Sequence, residues 1–181
     1  MAVKVDFQHG ADAFSWTSKH CTPHCTIRAE PSAVHQENAR VTVSFAGLEM
    51  KTFHGSCHCG AVRYQADIDL THGTIKCNCS ICRKMRFWAV QVPSAAFRLL
   101  DGAAALSEYR FHLKRDGHYF CRHCGINVFS TGASPRLGPF HALTVASLDD
   151  LPVEQLLAAP LRYVDGANDA WDLPPQETRH L

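Results

Sequence analysis

Residues 54–70 read HGSCHCGAVRYQADIDL, and this stretch decides the fold class. From Val62 onward apolar and polar residues alternate: Val62, Tyr64, Ala66, Ile68 and Leu70 are separated by Arg63, Gln65, Asp67 and Asp69. Successive side chains of a strand point to opposite faces, so a period of two predicts a half-buried β-strand. At its mouth stand Cys57 and Cys59, one residue apart. A disulfide across so short a loop cannot relax to unstrained geometry. Either these thiols bind something, or the pair is coincidence.

Short strand signals continue outward from this stretch. TIKCNC (residues 74–79) predicts a second strand, and FWAVQV (87–92) a third that Pro93 stops. Tyr109, Phe111 and Leu113 mark another, KRDGH (114–118) supplies a turn before YFCRHCG, and INVFST and HALTVAS add two more. One short helix is expected around LPVEQLLAA (151–159), with a turn of helix after Cys82. The predicted class is mainly β, without internal repeat or low-complexity tract.

A chain of 181 residues is enough for one domain with a sizeable core. The formal charge of +1 gives no support to bulk attraction for nucleic acid or membrane. No apolar run approaches the ~18–20 residues of a membrane span, and the first thirty residues lack a secretory pattern. The expected location is cytoplasmic, with no nucleic-acid or membrane partner. Before Met50 neither helical nor strand period is sustained. Residues 1–49 are therefore expected to be a poorly ordered N-terminal extension or a misassigned start, and 50–181 the domain. The alternative is a genuine arm carrying a strand at VTVSF (41–45).

Cysteine is the exceptional count: nine, an odd number, mostly in C-x-C or C-x-x-C groups. In a reducing compartment this points to metal or redox chemistry rather than a disulfide framework. Cys21 and Cys25, with His24, fall in the doubtful leader and read as a loosely ordered pair. Beyond Met50 lie Cys57 and Cys59; Cys77, Cys79 and Cys82; Cys121 and Cys124. CRHCG is the knuckle in which two thiolates converge on one ion, and a C-x-C in an extended segment also places both sulfurs on one face. A structural zinc takes four protein ligands, while a catalytic zinc keeps three and an exchangeable position. Seven cysteines divide into four plus three: the outer pairs as a clamp, the central CNCSIC alone. Spacing does not show which pairs meet. A redox C-x-x-C lacks its βαβ context here, and an iron–sulfur cluster lacks ferredoxin spacing.

The histidines are secondary candidates. His58, between two proposed ligands, is expected on the opposite face, and His123, inside the knuckle, in solvent. His72 is a candidate fourth ligand or proton donor for the trio. The basic run Arg83, Lys84 and Arg86 reads either as a solvated turn or as a cradle for substrate carboxylates.

HGSCHCGAVRY, CNCSICRK and YFCRHCGINVFS together resemble the three cysteine blocks of the glutathione-dependent formaldehyde-activating family, which also includes centromere protein V. The resemblance runs from about Thr52 to Asp149 and does not cover residues 1–49. It implies a β-tent-like fold of small antiparallel sheets around two zinc ions. It implies a structural zinc on Cys57, Cys59, Cys121 and Cys124, and a catalytic zinc on Cys77, Cys79 and Cys82. The implied activity is carbon–sulfur lyase or synthase chemistry on a thiol–aldehyde adduct such as S-hydroxymethylglutathione, with a small thiol and an aldehyde as partners and Arg83 and Lys84 as candidate substrate contacts. The competing class is a two-zinc binding module without turnover. An open coordination position favours the enzyme, and the lack of an evident general base favours the module.

Overall fold

The computed structural model describes residues 49–181. The expectations placed on Cys21, His24, Cys25, VTVSF and the extension itself lie outside the described residues. Within them, ten strands and two short α-helices form a mainly β fold. β1 (Lys51–Ser56), β2 (Arg63–Ile68) and β5 (Phe97–Asp101) make a three-stranded antiparallel sheet in the order β1-β2-β5. The larger sheet contains β3 (Thr74–Cys77), β4 (Trp88–Pro93), β6 (Leu106–Tyr109), β7 (Gly117–Cys121), β8 (Asn127–Ser134), β9 (Gly138–Thr144) and β10 (Leu161–Val164). Its order is β10-β3-β4-β9-β8-β7-β6, antiparallel throughout except where β10 lies parallel to β3. The helices are α1 (Ser80–Met85) and α2 (Val153–Ala158).

The alternation in residues 62–70 has the predicted result. Val62, Tyr64, Ala66, Ile68 and Leu70 are all buried, and they meet Val90, Val92, Val128, Phe129 and Leu143 of the larger sheet in one core. Tyr64, Phe97, Phe129 and His141 stack or tilt against one another at its centre. The phenol of this group is satisfied: Tyr64 Oη lies 2.8 Å from Ser147 Oγ, which donates to the Val128 carbonyl, whereas the buried His141 Nδ1 has no partner among the described residues. Gly55 is the point of closest approach. A methyl group there would stand 2.2 Å from the Tyr64 ring and 2.5 Å from the Ser147 carbonyl, so only glycine lets the β1 backbone pass. A second cluster of Ile75, Phe87, Ala89, Ala142 and Val164 lies beneath α1 and includes the side chains of Cys77 and Cys82.

The structure corrects four local readings. Cys57 and Cys59 do not lie in an extended segment: β1 ends at Ser56 and the chain turns through residues 58–60. The expected strand through Tyr109, Phe111 and Leu113 is instead Leu106–Tyr109, because the chain turns after Arg110 and His112 takes φ 50°. TIKCNC is strand only to Cys77, since Cys79 already caps α1. The helical turn expected after Cys82 begins earlier, at Ser80, and so carries Cys82 itself.

Candidate metal centres

The first cluster is assembled by two hairpins. Cys57 follows β1 in the β1–β2 turn, and Cys121 ends β7 before the β7–β8 turn. The turns are built alike. The backbone N–H of Cys57 donates to the Val62 carbonyl at 3.1 Å, and that of Cys121 to the Ile126 carbonyl at 2.9 Å. Gly60 closes the first on the Cys57 carbonyl and Gly125 the second on that of Cys121. Both glycines are left-handed, φ 72° and 74°, with open space where a Cβ would stand. Backbone conformation, not packing, demands glycine here.

These turns bring the sulfurs of Cys57, Cys59, Cys121 and Cys124 within 4.8 Å of one another. Cys57 and Cys59 are 3.5 Å apart at Sγ, and Cys59 and Cys121 3.7 Å. A disulfide needs about 2.0 Å. A tetrahedral zinc with sulfur at about 2.3 Å spaces its ligands about 3.8 Å apart. The cluster therefore has the dimensions of a metal site. His58 and His123 both point to solvent, His58 on a turn rather than by strand alternation.

The second cluster is local. Cys77 ends β3, Cys79 is the N-cap of α1 and Cys82 lies in its first turn, with all three sulfurs within 4.8 Å. Cys77 and Cys82 are buried and Cys79 is half-buried. Contacts from Cys77 and then Cys82 pull the Cys79 thiol down to about 2. The same contact with Cys79 pushes Cys77 up to about 11, and those with Cys77 and Cys79 drive Cys82 further up. The thiolate form is thus favoured at Cys79 and opposed at its two neighbours. Three thiolates together require a cation, and three sulfurs around a divalent ion leave a fourth position without a cysteine. The donor set suits a thiophilic ion such as zinc.

The C-terminal segment crosses this cluster. Asn78 Nδ2 donates to Asp165 at 2.6 Å while Asn78 Oδ1 accepts from the Ala167 N–H. A methyl group on Gly166 would stand 2.7 Å from Cys77 Sγ and 2.9 Å from the Trp171 ring. His72 does not join the trio; it is exposed, with Nε2 3.6 Å from Asp69. Arg83 and Lys84 are exposed in the last turn of α1. Arg83 borders a cavity of about 10 Å³ together with Cys77, Cys82 and Arg86, whereas Lys84 is not among its lining residues. Arg86 donates to the His180 carbonyl.

Sequence reasoning missed one feature. A cavity of about 300 Å³ opens between α1 and the β6–β7 hairpin. His118 lines it, although the sequence reading placed this residue in a turn. It belongs to β7, is buried, and has Nδ1 2.9 Å from Ser130 Oγ. The available signal was the period of two that puts His118 and Phe120 on one face.

Among the described residues no helix is long and apolar enough to cross a membrane. A crystal structure of a Rhodobacter sphaeroides protein is similar, with 28% identity and a TM-score of 0.52, over 60% of this chain and 99% of that one. The family model of the glutathione-dependent formaldehyde-activating enzyme matches residues 52–162, which hold all seven clustered cysteines. With more than half of its length so matched, the chain belongs to the glutathione-dependent formaldehyde-activating family.

Proposed function

We propose that the protein is a zinc-dependent enzyme that forms or cleaves the carbon–sulfur bond of a thiol–aldehyde adduct, with S-hydroxymethylglutathione as the family's example. The observation that carries this reading is the inequality of the two clusters, four sulfurs in one and three in the other. Cys57, Cys59, Cys121 and Cys124 would hold a structural zinc, and Cys77, Cys79 and Cys82 a catalytic one. When bound at the trio, zinc supplies positive charge that favours the thiolate form of an incoming thiol near neutral pH.

The chain's own groups provide the rest. The trio, fixed at the β3–α1 corner, holds one side of the site and leaves the other for substrate. Arg83 at its edge, with Lys84 beyond, meets the carboxylates of an acidic thiol such as glutathione. In the forward direction the thiolate attacks the aldehyde carbon, the C=O π electrons move to oxygen, and oxygen takes a proton. The reverse reaction breaks the same C–S bond and restores thiol and aldehyde. Free cysteines throughout the described residues agree with a cytoplasmic setting.

The test is a screen of thiol–aldehyde pairs against zinc-loaded protein, following free thiol above the uncatalysed background. Acceleration that disappears in Cys79→Ser while the first zinc remains supports the enzyme. Full metal loading with neither thiol binding nor acceleration identifies a non-catalytic two-zinc module instead.

A further inference from the structure

The cavity beside α1 has a composition that an adduct of formaldehyde and glutathione does not use. Ile81, which stands between two trio cysteines, and Met85, one turn further on, form one wall. Tyr109, His118 and Phe120 of the β6–β7 hairpin form the other, and the Cys124 knuckle closes the end through Gly125 and Asn127. Among the described residues no acidic or basic side chain lines it apart from the imidazole. Aromatic rings extend the wall outward, with Phe111 stacked between Tyr109 and His118. The space is thus lined by Ile81, next in sequence to Cys82, and by Gly125, next to Cys124.

We propose that this cavity is a second substrate subsite, which takes an uncharged aromatic or branched apolar substituent on the thiol–aldehyde adduct. The inference rests on the proposed function and names the substrate class. Size supports it: a cavity of about 150 Å³ already holds benzene, so about 300 Å³ accommodates a ring with its attachment and is far too large for formaldehyde alone. Polarity supports it as well. The walls are aliphatic, aromatic and thioether, the surface that suits a flat apolar ring. Both ends of the Asn127 side chain are engaged, its amide donating to the Tyr119 carbonyl and its oxygen accepting from Thr144. His118 is fixed by Ser130, and burial holds its ring below the ordinary histidine range, so it stands neutral at physiological pH. Among the described residues a charged substituent finds no oppositely charged partner in this space, whereas a ring finds contacts on two sides.

The experiment uses the zinc-loaded full chain. Toluene, which is neither thiol nor aldehyde, is titrated while the methyl resonances of Ile81 and Met85 are followed by NMR. Turnover is then compared for formaldehyde with 2-mercaptoethanol, formaldehyde with benzyl mercaptan, and benzaldehyde with 2-mercaptoethanol. Toluene should shift both methyl sets, and one aromatic pair should gain at least about tenfold in kcat/KM over the small pair, the worth of burying a ring. The arm that gains identifies whether the substituent arrives on the thiol or on the aldehyde. Met85→Trp, which fills the space, should abolish both effects, and Tyr109→Ala, at an exposed position, should weaken them without loss of fold. Turnover of the small pair with neither aromatic preference nor a toluene shift overturns the subsite and leaves the proposed function standing. No turnover with any pair overturns the function, and the toluene titration then decides the cavity by itself.

Discussion

Glycine carries much of the site at the scale of single residues, for two different reasons. Gly125 has open space around it and a left-handed backbone, so Gly125→Ala meets strain of about 1–2 kcal/mol without a clash. Gly166 is the opposite case, where the missing methyl group makes room for Cys77 Sγ. Gly166→Ala should leave the protein folded and the four-sulfur cluster loaded while lowering metal occupancy of the trio. Zinc content and melting temperature, measured side by side for both variants, check this: Gly125→Ala should lose stability first, Gly166→Ala the second metal. The sequence names the cysteines and, through the glycine that follows the C-x-x-C, the need for a positive φ at Gly125; it does not show why Gly166 matters. Gly166 is defined only by a segment that returns to Cys77 from far along the chain.

The two clusters differ most at the level of elements. The clamp joins the β1–β2 hairpin to the β7–β8 hairpin, with Cys59 and Cys121 62 positions apart. Closing a loop of that length in the unfolded chain is worth about 4 kcal/mol. The trio lies within β3 and the first turn of α1 and closes no long loop. Cys121→Ser should therefore lower the melting temperature by about 10 °C or more, whereas Cys79→Ser should change it little and remove activity. Equal loss of stability in both would mean that the structural and catalytic assignments are wrong. At the end of α1, Arg83→Glu should weaken binding of glutathione about two- to fivefold, the worth of an exposed ion pair, and spare 2-mercaptoethanol; titration calorimetry distinguishes them. The strand from residue 63 to 68 was legible because its period of two is uninterrupted. The C-x-C turn was not, because two sulfurs on one face of a strand and two on a tight turn are written with the same spacing. His118 was hidden for a related reason: DGH reads as a turn, and pairing with β8 extends the strand back through it.

For the whole molecule, the seven cysteines of the two clusters and the uninterrupted strand pattern all follow Met50 in the sequence. A chain beginning at Met50 should fold and keep two metals per molecule, by elemental analysis and circular dichroism; aggregation or loss of one metal would place residues 1–49 in the domain. Strong chelators should unfold it, since binding free energy at a closed four-sulfur site is folding free energy. The class, the three tight cysteine motifs and most strands could be read in advance because they are local patterns; which motifs meet could not be read from spacing. Nor could the sheet order. The parallel pairing of β10 with β3 and the meeting of Tyr64 with Ser147 join residues that no period in the sequence connects.

The matched knuckles have a consequence for folding in time. Each hairpin brings two sulfurs together through its own turn, so each is half of a site before the halves meet. Hairpins form in microseconds, far faster than a domain of this topology assembles. At low zinc an ion captured by one half recruits the other, and refolding should accelerate as zinc rises. At high zinc each half captures its own ion, and one ion must be released before the sheets can join. Stopped-flow refolding over a zinc titration should therefore show a rate that climbs, passes through a maximum and falls; a plain plateau would mean that neither half binds metal alone.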